Sequence, residues 1–487
     1  MILLLLLACA CKARAPQSEP RSVAPALRGS DTNVLLVTID TLRADHLGMY
    51  GYQRRTSPRM DDLARRGAVF ENAYTYWPKT RGSFAAMMSG KSASRNGYTQ
   101  RHRVLHGFNA SLAGVLNQAG YATAAVVDNP NVGADLGFAK GFESFLETWE
   151  DEALQSEMDR ARAITEMAVR FLGAAPKERP FFLWLHYVNP HAPYTPPPPY
   201  DGMFLDEQAE SGPRLRAVSG FFGGVHASWA VPGRDRLGYY VAQYDGEIAA
   251  VDAEVGRVLD ALGDARLAER TLIVLTSDHG ESLGEHDYYF DHGADLFDPC
   301  LRIPLVVVPP GGTSVKRVDS LASTLDVFPT VLDAVKVSFP PDLEGKSLLP
   351  LLQRRALSRS RLFAENDRGH KGTHDRRFKL VATPVDHRDW KYALYDRVGD
   401  PDEENDVARG RPADYARGRE ELDRYLERSE REWLRIQSKV ERQPAPPALS
   451  DSACRKLLEL GYVESCPGSP VTATPVPSRD GRRSSAH

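Results

Sequence analysis

The chain has little cysteine and little net charge. Five cysteines in 487 residues, at positions 9, 11, 300, 454 and 466, are spaced too widely for a zinc ribbon or finger, so they signal no thiolate metal site. A formal net charge of -4 with histidine neutral excludes the basic surface that wraps nucleic acid or an acidic polymer. Local basic clusters such as Arg479, Arg482 and Arg483 lie in loop-like sequence and read as solvated charge. Internal repeats and coiled-coil heptads are also missing, and the apolar run at residues 2–8 is too short to span a bilayer. What is present is the balance of a soluble globular protein, 42% hydrophobic and 26% charged. The length allows one large α/β domain with a smaller companion, or two to three ordinary domains.

Residues 2–8 have the size of the apolar core of a secretory signal. The segment Leu6-Leu7-Ala8-Cys9 resembles a bacterial lipobox, in which Cys9 is lipidated and begins the mature protein; Cys11 is the alternative site. No Lys or Arg precedes the run, a departure from that pattern. A polar, proline-containing linker follows, so the segments are a signal at 1–9 and a linker at 10–31. The expectation is export to a bacterial periplasm or cell envelope, with a lipid anchor holding the protein to the membrane. In an oxidising compartment Cys454 and Cys466 can pair across a short loop.

The most informative stretch begins at residue 33, NVLLVTIDTLRADHLGMYGY, where apolar, branched residues stop at Asp40. Such a run suits a strand covered on both faces of a parallel sheet, and sheets of that kind bind ligands at their carboxyl strand ends. Asp45 and His46 follow on the next turn. The arrangement recurs in TLIVLTSDHGE from residue 271, which ends in Asp278 and His279. Two strands of one sheet can therefore bring Asp40, Asp278 and His279 together, although an Asp after a strand is also an ordinary turn former or helix cap.

Between these points, strand-like and helix-like segments alternate. Helices are predicted at 57–66 (Ser57 as cap, Gly67 as stop), 111–118, 155–172 and 240–262. Strands are predicted at 122–127, 181–187 and 305–308, the last closing the main sheet or beginning its final part. Residues 190–200 and 219–224 read as loops over the mouth of a site. After about residue 352 the character changes to short strands and turns (361–381, 389–409), a charged helix (415–437) and a disordered tail (467–487). The segments 32–351 and 352–466 thus form a catalytic domain and a smaller carboxyl-terminal α+β subdomain.

The ordered blocks IDTLRADHLGMYGY, SPRMDDLARRGAVFENAY, FFLWLHYVNPHAPY, SDHGESLGEHDYYFDHG, LRIPLVVVPPG and DVFPTVLDA together resemble the sulfatase family of the alkaline phosphatase superfamily. A weaker carboxyl-terminal pattern lies in Phe378-Lys379-Leu380, Leu394-Tyr395-Asp396 and residues 457–463. The resemblance implies a central mixed, largely parallel sheet flanked by helices. It also implies a divalent metal held by Asp40, Asp278 and His279, and hydrolysis of sulfuric or chemically similar esters. Many sulfatases carry a second acidic residue where this chain has Thr41. The oxygen and nitrogen donor set here favours Zn or Mn, with Ca or Mg as alternatives.

The nucleophile departs from the family. Sulfatases carry a Cys or Ser, followed by Pro and Arg two and four residues on, which is oxidised to formylglycine. The matching position is Thr80, and Gly82 and Phe84 stand where the Pro and Arg belong. Thr cannot become formylglycine. Three readings follow: Thr80 attacks directly as a hydroxyl bound to the metal, Ser83 has taken the role, or no covalent step occurs. Thr80 can also simply cap the helix that starts near Arg81, a terminus that itself attracts anions.

By the same resemblance, His191 contacts the ester or protonates its leaving group. His292 falls near a position where many sulfatases place a Lys against the sulfate. Lys79 and Arg81 flank Thr80 and are candidate anion binders, as are Asn129 and Asn131 after the strand at 122–127. His186 reads as a packed core residue, Glu281 and Glu285 as partners of the histidines, and His286 as a structural loop residue or a second-metal ligand. The expected activity is sulfuric ester hydrolysis. Phosphodiester hydrolysis or phosphoryl transfer through Thr80 is the main alternative, and a non-catalytic metal- or anion-binding lipoprotein is the third. The expected partner is a small-molecule, glycan or lipid ester, and the oligomeric state stays open.

Overall fold

The structure, a computed structural model, describes residues 30–176, 178–385, 389–444 and 447–466. Cys9, Cys11, the signal segment, nearly all of the linker and the tail at 467–487 lie outside the described residues. Among the described residues no helix is long and apolar enough to cross a membrane.

Eight strands form one mixed sheet: β1 (Asn33–Ile39), β2 (Ala68–Tyr74), β3 (Ala122–Val127), β4 (Ser144–Glu147), β5 (Phe181–Tyr187), β6 (Thr271–Ser277), β7 (Leu305–Val308) and β8 (Arg317–Ser323). Their order is β8-β2-β7-β6-β1-β5-β3-β4. All neighbours run parallel except β7, which is antiparallel to both β2 and β6. Of the two expected places for residues 305–308, the structure excludes closure of the sheet: β7 is interior, and the strand that follows it in the chain, β8, forms the edge. A short branched run reads the same whether its neighbours are parallel or antiparallel, so composition could not place it.

Both faces of the sheet are covered, which is why β1, β5 and β6 are apolar at nearly every position. Leu35, Val37 and Ile39 pack into a cluster on one face with Leu183, Leu185, Ile273 and Leu275. The alternate residues Val34 and Leu36 join Phe182, Trp184, Leu272 and Val274 on the other. The flanking helices are α1 (Pro58–Arg66), α2 (Thr80–Ser89), α3 (Leu112–Gln118), α4 (Glu157–Gly173), α5 (Leu237–Asp264) and α6 (Val327–Ala334). Ser111 and Ser156 cap α3 and α4 as Ser should. Ser57 does not cap α1: its hydroxyl donates to Asp61 Oδ1 at 3.1 Å and accepts from the Gly48 amide at 3.0 Å.

The carboxyl-terminal part adds an antiparallel sheet of β9 (Leu362–Glu365), β10 (Lys371–His374), β11 (Phe378–Pro384) and β12 (Trp390–Asp396), followed by α7 (Pro412–Glu441) and α8 (Asp451–Glu459). Cys454 and Cys466 are disulfide-bonded, and Cys300 is free and buried.

Candidate active site

Register builds the centre of the site. Ile39 of β1 lies opposite Ser277 of β6, so the next residues, Asp40 and Asp278, leave adjacent strand ends side by side, with His279 following. All three are fully buried, and one donor atom from each lies within 4.8 Å of the others. His279 Nε2 is 3.3 Å from Asp278 Oδ2 and 3.6 Å from Asp40 Oδ1. Thr41, directly after Asp40, has φ +53°, a left-handed conformation that costs a β-branched residue roughly 1–2 kcal/mol. That sharp turn ends β1 at the carboxylate.

This centre is short of positive charge. Asp40 Oδ1 and both oxygens of Asp278 are buried without a hydrogen-bond partner, and among the described residues no Lys or Arg pairs with either carboxylate. Burial works against ionised Asp40, but the imidazoles of His186, His191 and His279 bring its pKa to about 2. Burial and then the Asp40 charge push Asp278 well above the ordinary carboxylate range. Burial brings His279 down to about 4, so its ring is neutral near pH 7. Because His279 Nδ1 faces the Gly280 carbonyl at 2.9 Å, that nitrogen carries the proton and Nε2 presents a lone pair. Two buried carboxylates with orphaned oxygens and a bare imidazole nitrogen make a donor set that fits a divalent cation.

Thr80 is the first residue of α2, and the capping position belongs to Lys79. Its hydroxyl is therefore not a helix cap: Thr80 Oγ1 lies 3.1 Å from His279 Nε2. Ser83 is committed elsewhere, donating to the Asp278 carbonyl at 2.7 Å and meeting Thr75 Oγ1 at 3.0 Å.

Several sequence expectations change in detail. Asn129 is not turned toward an anion, because its Nδ2 donates to Asp40 Oδ2 at 2.7 Å; it orients the carboxylate. Asn131 accepts from Arg81 Nη2 at 2.7 Å. His186 is buried as expected but is more than packing, with Nδ1 3.1 Å from Thr38 Oγ1 and Nε2 3.6 Å from Asp40 Oδ2. Glu281 meets His292 Nδ1 at 3.2 Å and accepts from Tyr194 at 2.5 Å. Glu285 has no such role, since it binds Arg43 at 2.7 Å. His286 stacks on Phe297, ring centroids 3.6 Å apart, away from the centre. Asp45 and His46 also turn outward, to Arg43 and Asp245.

His191 and His292 do converge on the site. The ring of His292 sits 4.1 Å from that of His279 and 5.1 Å from that of His191. The group between them is Tyr462, which lies in the family-like stretch 457–463 but is not among the candidate site residues of the sequence. Its Oη lies 2.8 Å from Thr80 Oγ1 and 3.1 Å from Nε2 of both His191 and His292. Lys79 lies over the Tyr462 ring, 5.6 Å from its centroid. Beyond the tyrosine is a cavity of about 240 Å³ whose lining includes Lys79, Arg81, Arg103, Asn131 and Tyr462. Three cations and one carboxylate, Asp367, 3.7 Å from Arg103, line it, and the net positive wall suits an anionic ligand.

Comparison with known proteins identifies the family. The family model described as Sulfatase matches residues 32–337, and one described as N-sulphoglucosamine sulphohydrolase, C-terminal, matches residues 284–432. An N-acetylglucosamine-6-O-sulfatase of Bacteroides thetaiotaomicron is 25% identical, aligned over 82% of this chain and 86% of its own. A multifunctional alkaline phosphatase superfamily protein of Trinickia caryophylli is 26% identical over 66% of this chain and 77% of its own. In fold, the chain is similar to a protein solved in complex with its substrate D-glucosamine-2-N,6-O-disulfate. That likeness has a TM-score of 0.68 and 21% identity, and covers 85% of this chain and all of the other. With a matching model over more than half of its length, the chain belongs to the sulfatase family.

Proposed function

We propose that this protein is a metal-dependent hydrolase of sulfuric esters that works without formylglycine. The observation that carries the reading is the Thr80 hydroxyl, 3.1 Å from His279 Nε2 and beside two carboxylates with unpartnered buried oxygens. Asp40, Asp278, His279 and Thr80 would hold the ion, and the mixed donors favour Zn or Mn over Ca or Mg. When bound, such an ion polarises an ester oxygen and favours deprotonation of a nearby hydroxyl. Thr80 is the attacking group. Lys79 and Arg81 draw the anionic ester to the amino terminus of α2. His191 is placed to hand a proton to the leaving oxygen, and Asn129 and His186 hold the Asp40 carboxylate in orientation. His292, backed by Glu281, faces the same point and is read as an ester contact.

The names of several relatives point to sugars carrying sulfate, which supports a sulfated saccharide as the natural ester. A second reading, phosphodiester hydrolysis or phosphoryl transfer, is favoured by Thr80 itself, because a hydroxyl attacks phosphorus without prior oxidation. Export is part of the proposal and is supported by the Cys454–Cys466 disulfide, since such bonds persist in oxidising compartments; lipidation at Cys9 completes it on the lipobox-like sequence alone.

One panel tests these readings: protein loaded with Mn, Zn or Ca, assayed on an aryl sulfate, a sulfated monosaccharide, a phosphate monoester and a phosphodiester, beside Thr80→Ala. The expected result is turnover of a sulfate ester that Thr80→Ala abolishes, with a sulfuryl-sized mass increase on the Thr80 peptide in quenched wild type. Preference for the phosphodiester would move the assignment to the second reading. Undiminished turnover by Thr80→Ala would remove Thr80 as nucleophile.

A further inference from the structure

The phenol of Tyr462 stands in space that an ester must use. A reacting centre has to come within about 3–3.5 Å of its nucleophile, and Tyr462 Oη already sits 2.8 Å from Thr80 Oγ1. The same oxygen meets Nε2 of His191 and of His292, both at 3.1 Å, the two imidazoles read above as facing the ester. Its aromatic ring rests 5.4 Å from the His191 ring, 5.9 Å from the His292 ring and 5.6 Å from Lys79 Nζ. An oxygen bonded to a benzene ring, placed between nucleophile and proton donor, has the chemistry of the alcohol half of an aryl ester.

The segment that brings Tyr462 here is attached separately from the residues it touches. Helix α8 is anchored to the catalytic domain by Lys456, buried, with Nζ 3.0 Å from Glu157 Oε1 and 3.7 Å from Asp128 Oδ2. After α8 the chain turns at Gly461, φ +75°, and presents Tyr462. The Cys454–Cys466 disulfide then ties the turn back to the helix. The tyrosine therefore sits inside a closed loop that rests on the site from outside the catalytic sheet.

We infer that Tyr462 is an internal occupant of the active site, a tethered phenol seated where the aromatic alcohol of an aryl ester binds. Substrate enters when the turn at 460–466 swings off, and the disulfide limits how far it goes. This rests on the reading that Thr80 is the point of attack. The occupant accounts for the separation of Thr80 from the cationic cavity of Lys79, Arg81 and Arg103, because Tyr462 forms the wall between them.

The test uses full-length, Mn-loaded wild type, Tyr462→Ala, Tyr462→Phe and the double variant Cys454→Ser/Cys466→Ser. Calorimetric titration with phenol itself reads the seat, and aryl sulfate kinetics read its use. Tyr462→Ala should bind phenol at least tenfold more tightly than wild type and lower KM for the aryl ester by a similar factor. The double cysteine variant should shift both in the same direction by less. Tyr462→Phe, which loses the three polar contacts but keeps the ring, should fall between wild type and Ala, and it serves as the control should the Ala protein fail to fold. Phenol affinity in folded Tyr462→Ala or Tyr462→Phe no better than wild type would overturn the inference, as would loss of kcat with metal content intact, which would make the phenol part of the machinery. Tight phenol binding by Tyr462→Ala without turnover of any ester would uphold the occupant while refuting the hydrolase reading.

Discussion

Two buried acidic clusters in this chain are balanced in different ways. At the edge of the carboxyl-terminal sheet, Asp298 and Glu403 face Lys379 and Arg397. Lys379 Nζ lies 2.8 Å from Glu403 Oε1, and Arg397 Nη1 lies 3.1 Å from Asp298 Oδ2. Two carboxylates there meet two cations of the same chain. Burial opposes ionisation of Asp298, yet Arg397 and Lys379 hold its pKa below the usual range. At the strand ends Asp40 and Asp278 are fully buried, but among the described residues the basic groups beside them are imidazoles, with the Asn129 amide donating to Asp40. A cluster complete on its own side chains holds a structure together; one left short of charge is built to take it from solution.

The comparison can be broken first at its incomplete half. Asp278→Asn should lower turnover roughly 10⁴-fold, about 5 kcal/mol in the barrier, while the metal-free protein melts higher than metal-free wild type at neutral pH, because a buried carboxyl held well above its ordinary pKa, which takes up a proton on folding, is replaced by an amide that needs none. A lower melting temperature for the metal-free variant would show that the centre is balanced without an ion. Lys379→Met attacks the complete half. It leaves two buried carboxylates with one cation and should cost about 3–5 kcal/mol of stability in denaturant unfolding, with metal uptake unchanged in protein that remains folded.

A smaller effect belongs to the tie on the site: opening the Cys454–Cys466 link should cost about 2–3 kcal/mol, read as faster proteolysis after α8. The smallest effect concerns a carboxyl that forms no ion pair with a Lys or Arg among the described residues. Burial raises Glu247 from 4.5 to about 8, so the folded chain holds more protons than the unfolded one between those values. The contribution of this group to stability is therefore full below about pH 4.5, falls as pH rises to about 8, and is level above. Glu247→Gln should raise the melting temperature at pH 8, by an amount that shrinks toward pH 5. Asn189, whose Nδ2 donates to Glu247 at 2.5 Å while its Oδ1 is unpartnered, can turn its amide over to accept the new donor.

How much was legible follows the same division between local and assembled order. The apolar runs of β1, β5 and β6 are set by their own sequence, so the strand ends, Asp40, Asp278 and His279, could be read directly. Thr80 was legible only through the family resemblance, as the residue at the position where sulfatases carry their Cys or Ser. The partners of these residues were not, because side-chain direction depends on neighbours distant in the chain. Asn129 reaches Asp40 rather than an anion, and Glu285 answers Arg43 rather than a histidine. Tyr462 stands 382 positions from Thr80; the pattern at 457–463 marked its stretch, but nothing local says that its phenol reaches Thr80. The interior place of β7 is a sheet-pairing result of the same non-local kind.

The central claim is that the strand-end carboxylates take an ion from solution, and metal uptake tests it most directly. Chelator-stripped wild type and Asp278→Asn, dialysed against Mn or Zn and then analysed for bound metal, should retain about one ion per chain and none, respectively. Equal retention by the two proteins, or none by wild type, would contradict the account.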